Sequence, residues 1–246
     1  MKTGLRANIL GCQVDILTMQ ETVQQIENYI DQKQPAHIIT LNAEIAYQAR
    51  DNKDLRDIIN SAGLVTADGI GTVWGARQLG WPVPERVTGI DLLYVLCRRA
   101  AECGWPVYLL GAAPGVAEAA AENLCKTYPG LPIAGTHHGY FKEEEIPELV
   151  GQIKNCRPVI LLAALGAPKQ EYFIKRYQKE LEIPVCIGVG GSFDVVAGLK
   201  KRAPELIIKL NLEWLYRLLA EPSRIKRQLV LPKFALAVLG QKFSKK

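Results

Sequence analysis

No stretch of this 246-residue sequence approaches the roughly 20 apolar residues that a bilayer-crossing helix needs. The nearest, residues 229–239, is interrupted by Pro232 and Lys233, so a soluble or peripheral protein is expected. The opening residues through Ala7 carry basic groups but no apolar segment of about 7 to 15 residues before a small-residue cleavage site, so no export signal is expected. The cysteines Cys12, Cys97, Cys103, Cys125, Cys156 and Cys186 form no Cys-x-x-Cys pair. Several sit in apolar runs such as Val185-Cys186-Ile187, which is the pattern of small buried hydrophobes in a reducing compartment. His137 and His138 are adjacent, not four apart, and no Cys or carboxylate cluster lies near them, so no zinc site is expected.

What is present is a chain with 48% hydrophobic and 22% charged residues, long enough for one large or two small α/β units with a substantial core. The net charge of +5 hides an asymmetry: residues 199–246 hold 12 Lys/Arg against 3 Asp/Glu, leaving 18 against 22 in the rest. A basic tail on a weakly acidic body points to an anionic partner, either nucleic acid or lipid head groups. The cations are not interleaved with a row of stacking aromatics, so nucleic acid is not expected.

Thr18-Met19-Gln20-Glu21 reads as a capping box, and Val23, Ile26 and Ile30 follow at helical spacing, which predicts a helix over about 19–32 after an opening strand or hairpin over 9–17. The β-branched run His37-Ile38-Ile39-Thr40-Leu41 stops at Asn42, a helix cap. The same strand, turn and helix rhythm recurs at Leu64-Val65-Thr66, Val107-Tyr108-Leu109-Leu110, 159–165 and 184–189, with a helix over 117–128. Alternation of this kind predicts an α/β fold, a mostly parallel sheet flanked by helices and Rossmann-like, with ligands outside the carboxyl ends of the strands. The one boundary drawn falls near residue 198, dividing an α/β body (1–198) from a basic, amphipathic helical C-terminal appendage (199–246). In the appendage, Glu205, Lys209, Glu213 and Arg217 recur every four residues as a polar stripe after Pro204, and Arg224, Lys226 and Arg227 precede the apolar residues 229–239.

Candidate chemistry sits just after the strands. Asp68, in Thr66-Ala67-Asp68-Gly69-Ile70-Gly71, is a general-base candidate among small residues, although an Asp-Gly after a strand also serves as a turn or N-cap. Arg86 has the fork that grips diphosphate, but it equally fits a surface cation. The glycine loops beginning at Gly111 and Gly188 offer backbone N–H groups to phosphate, yet neither is a Walker or G-x-G-x-x-G motif. Gly190-Gly191-Ser192-Phe193-Asp194 lacks the last glycine of a nucleophile elbow.

Taken together, the segments Thr40-Leu41-Asn42-Ala43-Glu44, Ala67-Asp68-Gly69, Pro84-Glu85-Arg86-Val87-Thr88-Gly89, Gly135-Thr136-His137-His138-Gly139-Tyr140-Phe141, Gly166-Ala167-Pro168-Lys169-Gln170-Glu171, Gly188-Val189-Gly190-Gly191-Ser192-Phe193-Asp194 and Leu212-Glu213-Trp214-Leu215-Tyr216-Arg217-Leu218 resemble the WecG/TagA/CpsF family of bacterial glycosyltransferases, over nearly the whole chain. The tail is most similar to the TagA branch, with Ser223 where an aromatic is expected.

That resemblance implies transfer of N-acetylmannosamine from UDP to undecaprenyl-diphosphate-linked N-acetylglucosamine, an inverting, β-1,4-forming step of wall teichoic acid synthesis. A relative using another UDP-sugar, such as N-acetylmannosaminuronic acid or a hexose, in a different surface polysaccharide pathway is the alternative. The resemblance further implies Asp68 as base, with Thr40, Asn42, Arg86 and Gln170 around it. Arg217, Arg224 and Arg227 become a lid over the diphosphate, and Gly111, Ala112, Tyr140, Gly166, Gly190 and Asp194 hold the nucleotide. The expected partners are the UDP-sugar donor, the polyprenyl-diphosphate acceptor and an anionic membrane surface on the inner, cytoplasmic face. A homo-oligomer is left open, and no cofactor is expected.

Because the sequence offers no Asp-x-Asp pair or other ligand cluster for a divalent ion, sugar transfer is expected to survive EDTA. Loss of turnover on chelation, restored by magnesium or manganese, is the contrary result.

Overall fold

The computed structural model describes residues 4–210, 212–221, 225 and 229–244. The chain opens with an antiparallel hairpin, β1 (Arg6–Ile9) and β2 (Cys12–Asp15), turning through Leu10 and Gly11 at φ of 51° and 89°. Helix α1 (Met19–Asp31) starts where the capping box predicts: the Thr18 side chain accepts from the Glu21 N–H, and the Glu21 carboxylate accepts from the Thr18 N–H at 2.8 Å.

Six parallel strands follow: β3 (Ala36–Leu41), β4 (Leu64–Ala67), β5 (Val107–Gly111), β6 (Ile133–His137), β7 (Ile160–Ala164) and β8 (Val185–Gly188), in the spatial order β4-β3-β8-β7-β5-β6. Successive residues of a strand enter opposite layers, which is why the strands read as unbroken apolar runs. Ile38, Leu109, Leu162 and Ile187 pack with α1, α5 (Gly89–Cys103), α6 (Val116–Thr127) and α9 (Ser192–Val196). On the other face, Ile39, Leu41 and Val65 meet the hairpin, α2 (Ala43–Asp51), α3 (Lys53–Ser61) and α4 (Gly69–Gln78). Leu110, Leu161 and Cys186 lie under α7 (Ile146–Asn155) and α8 (Lys169–Leu181) on that same face. Strand β6 escaped the sequence reading because it is a half-buried edge strand whose Gly135 lies over the Tyr108 ring. Cys12, Cys97 and Cys186 are buried as expected, whereas Cys103, Cys125 and Cys156 are exposed on helix ends and outer faces.

The single striped helix expected after Pro204 is two: α10 (Glu205–Lys209) and α11 (Glu213–Ala220). Glu213 is not on a solvated stripe but buried, with its carboxylate accepting from Arg86 Nη1 at 3.1 Å. Arg217 falls within α11, while Arg224, Lys226 and Arg227 lie outside the described residues.

Helix α12 (Val230–Ser244) takes up most of the apolar residues 229–239, with Pro232 in its first turn, where no helical N–H is lost. It docks on α2 and α4. Gly71 and Gly75, one turn apart on α4, make the groove: a Cβ on Gly75 would stand 3.0 Å from the Phe234 ring. Two helical glycines cost about 1 kcal/mol each, a cost offset by this close approach. Phe234 and Val238 are buried in the core, and Gln241 Oε1 accepts from the Leu10 N–H at 2.8 Å. These residues are therefore committed to the body, while Leu229, Leu236 and Phe243 face outward.

Truncating the Phe234 ring is expected to destabilise the whole protein by about 3–5 kcal/mol, read as a lower urea midpoint of one cooperative transition for Phe234→Ala. A separate early transition confined to the C-terminal helix would contradict this integration.

Candidate active site

The parallel register brings all six strands to one edge, and the segments that leave them line a single cleft of about 1480 Å³. Ligand sites for one small molecule are usually 300–1000 Å³. This one has room for two substrates. Adjacent strands β5 and β7 send their chains toward opposite edges of the sheet, so the loops after them diverge and open a crevice there.

Asp68 leaves β4 at the N-cap position of α4, yet its side chain makes no cap hydrogen bond. Instead its Oδ2 accepts from the Gly89 N–H at 3.3 Å, with the carboxylate on the cleft wall. Asp68 thus stands at the cap position without spending its carboxylate on the cap. The space around it is shared out unevenly: Gly69, at φ 82°, has nothing near its Cβ position, whereas the positions beside Gly71 and Gly75 are filled by neighbouring helices.

Thr40, next to last in β3, stands nearby, and its hydroxyl donates to Gly188 O at 3.3 Å. Asn42 caps α2 by accepting from the Ile45 N–H at 2.9 Å, which leaves its amide nitrogen as the group it can offer the cleft. Arg86 reaches the same wall from the loop before α5. Gln170 comes from the first turn of α8, and its Oε1 accepts from the Gly190 N–H at 3.1 Å. Thus Thr40, Asn42, Asp68, Arg86 and Gln170 all line one cavity.

Of the residues expected around the nucleotide, Ala112, Tyr140, Gly166, Gly190 and Asp194 line the cleft. Gly111 lies behind it: at φ 135° its α-hydrogen side faces β7, where a Cβ would stand 2.4 Å from Ala164 O. Only glycine fits there. Tyr140 is largely exposed, on a loop pinned where Lys169 Nζ donates to Gly139 O at 3.1 Å and covers the Phe141 ring.

The appendage contributes Glu213, Trp214, Tyr216, Ala220 and Glu221 to the cleft. Nothing is described of the Arg217 side chain, and Arg224 and Arg227 lie outside the described residues. Sequence reasoning missed Lys200, whose Nζ stands 3.1 Å from both Asp194 Oδ2 and Glu221 Oε1, tying the appendage to the body across the mouth. It also missed Glu171, quoted in a motif but given no role. Glu171 is buried with Oε1 accepting from Gln170 Nε2 at 3.0 Å, and burial pushes its carboxyl up to about 7. No sequence signal marks Lys200, because neither Asp194 nor Glu221 stands at a helical pairing distance from it along the chain; nor does one mark Glu171, buried on the inward face of α8.

Among the described residues no group of three His, Cys, Asp or Glu side chains is gathered to hold a metal ion. No helix among them is long and apolar enough to cross a membrane.

Several known proteins are similar to this chain. An N-acetylglucosaminyldiphosphoundecaprenol N-acetyl-beta-D-mannosaminyltransferase of Bacillus spizizenii is 39% identical over 211 residues, 86% of this chain and 81% of that protein. The transferase of the same name from Bacillus subtilis is 39% identical over 220 residues, 89% of this chain and 85% of its own. That of Staphylococcus aureus is 36% identical over 239 residues, 96% and 93% of the two chains. The profile of the glycosyl transferase WecG/TagA/CpsF family matches residues 7–246, and the chain belongs to that family.

Proposed function

We propose that this protein transfers N-acetylmannosamine from its UDP derivative to N-acetylglucosaminyl-diphosphoundecaprenol, forming the β-1,4 link of the wall teichoic acid linkage unit. The observation that carries the reading is the convergence of Asp68, Thr40, Asn42, Arg86 and Gln170 in one cleft large enough for both substrates, together with the names of relatives that cover most of the chain.

In this mechanism Asp68 takes the proton of the acceptor 4-hydroxyl as that oxygen attacks the donor anomeric carbon from the face opposite UDP. The new C–O bond forms as the bond to the diphosphate oxygen breaks, so UDP leaves with the electron pair and the configuration inverts. The Gly89 N–H at Asp68 Oδ2 holds the carboxylate in place. Charge develops on the departing diphosphate. Arg86 and the second N–H of the Gln170 amide are donors for it, a form of stabilisation typically worth a few kcal/mol per donor. Thr40 and the Asn42 amide orient the sugars. Arg217, Arg224 and Arg227 complete the diphosphate grip as a lid.

A membrane role rests on the surface of the appendage. Leu199, Leu206, Leu210, Leu219, Ile225, Leu229, Leu236 and Phe243 are exposed in the same stretch that carries the basic excess. Partial insertion of such side chains plus roughly 1 kcal/mol per Lys/Arg near an anionic surface would keep the enzyme beside its lipid acceptor.

Two measurements test these statements. With a short-chain prenyl-diphosphate N-acetylglucosamine acceptor and a panel of UDP-sugars, UDP-N-acetylmannosamine is expected to be the preferred donor, and Asp68→Asn to lower turnover about 100-fold or more while retaining UDP binding. Preference for a uronate or hexose donor would move the protein to another pathway, and near-normal turnover of Asp68→Asn would remove the base. In co-sedimentation, binding to vesicles containing anionic lipid should fall steeply between 0.1 and 0.5 M salt, roughly the range over which surface charges become screened; equal binding to neutral vesicles would refute the electrostatic part.

A further inference from the structure

Gln170 is nearly fully buried at the cleft wall, and both ends of its amide are engaged. Oε1 accepts from Gly190 N–H at 3.1 Å, and Nε2 donates to Glu171 Oε1 at 3.0 Å. A backbone N–H can only donate, so the amide oxygen must face Gly190 and the nitrogen must face Glu171. The amide fills a notch over β8: a Cβ on Gly188 would stand 2.3 Å from Gln170 Nε2.

The group that receives the amide nitrogen is itself unusual. Glu171 is 1% exposed, and its Oε2 has no hydrogen-bond partner among the described residues. Helix α8 packs against α3, α7, β3 and β8, and among the described residues no cation acts on the Glu171 carboxyl. On α8, Lys169 is bound to Gly139 O, Lys175 to Ser61 Oγ, and Arg176 lies over the Tyr177 ring. On α3, Lys53 pairs with Asp57 and Arg56 donates to Arg50 O; on α7, Lys154 pairs with Glu182. His37 of β3 is neutral, because burial pushes its pKa down to about 3. A buried carboxyl without a cation is costly to ionise, and retaining one beside a cleft residue calls for a function.

We propose that Glu171 is a positioning residue for sugar transfer: by accepting from Nε2 it holds the Gln170 carboxamide against the Gly190 loop, so that the remaining amide N–H keeps its place at the cleft wall. This rests on the reading that Gln170 acts on the substrates of the cleft. As a carboxylate, Glu171 can only accept, and its charge-assisted bond to Nε2 locks the amide. As a neutral acid it gains an O–H that competes for the amide oxygen, and the lock loosens. Burial is the first cause that raises this carboxyl to about 7, opposed by the Gln170 amide and its own backbone N–H. Turnover should accordingly rise with pH through about 7.

The test is kcat/KM from pH 5.5 to 9 for the intact protein and for Glu171→Gln, Glu171→Leu and Gln170→Ala, with thermal unfolding of each. Glu171→Gln, which still accepts from Nε2 but cannot ionise, should fold, lose the limb near 7, and keep a donor KM within about twofold. Glu171→Leu, which cannot accept, should lose about tenfold or more in kcat at every pH.

Unfolding gives a readout independent of activity. A carboxyl whose folded pKa is raised from 4.5 to about 7 stabilises fully only below 4.5, and that contribution is lost as pH rises through 7. Glu171→Gln should therefore melt a few degrees above the parent at pH 8 and level with it at pH 4.5. A limb near 7 that persists in Glu171→Gln, or full turnover of Glu171→Leu, overturns the proposal while Gln170→Ala is impaired. Normal turnover of Gln170→Ala would overturn instead the role of Gln170 on which it rests, and absence of transfer by the parent with every donor would overturn the function itself.

Discussion

The constraint on which the site depends is the parallel pairing of β3 with β4 on one side and β8 on the other. The register sets Thr40 beside Thr66, Leu41 beside Ala67 and Ile39 beside Gly188, so three strands end within a residue or two of each other. The ladder runs one step further, with the Asp68 N–H bonded to Leu41 O at 2.9 Å. Whatever follows these strands must share one edge. Asn42, Asp68 and the Gly190 loop are neighbours because of backbone hydrogen bonds, not because of any attraction between their side chains. A one-residue slip of β3 would send Thr40 to the opposite face and break its bond to Gly188 O.

A second layer of constraint comes from packing. Strand β8 carries Gly188 where Gln170 needs room, β5 carries Gly111 where β7 needs contact, and α4 carries Gly71 and Gly75 where α12 must dock. In each case a missing Cβ lets one element approach another that bears on the cleft. The appendage thus enters the architecture through α12, whose Phe234 fills the groove, while α11 reaches the cleft through Glu213 and its neighbours.

Much of this was legible in the sequence for a physical reason. Local signals act through nearest neighbours in the chain: the Thr18 and Glu21 capping box, the Asn42 cap and the apolar strands each carry their own evidence, and the carboxyl ends of parallel strands are where ligands bind. That logic found Asp68 and Thr40. It failed where meaning depends on a distant partner. Glu213 read as one rung of a polar stripe because its spacing from Glu205 and Lys209 is helical; burial against Arg86, 127 residues earlier, gives it another identity. In the apolar residues 229–239 nothing local tells a docked face from an exposed one, and α12 divides them between the two. Glu171 gave no local sign of its burial or of its lack of a counter-ion.

The charges at the cleft mouth bear on the entry of an anionic substrate. Arg86 is paired with Glu213 at 3.1 Å, with side-chain exposures of 16% and 9%, and Lys200 is shared between Asp194 and Glu221. Cations suited to a diphosphate are therefore met by the protein's own carboxylates, two of them on the appendage. An incoming diphosphate carries a stronger and more concentrated charge than one carboxylate, and it competes for the same N–H donors. Removing one partner of a half-buried pair leaves the other poorly solvated, so the exchange is favourable only if Glu213 and Glu221 find water or new partners as they are released.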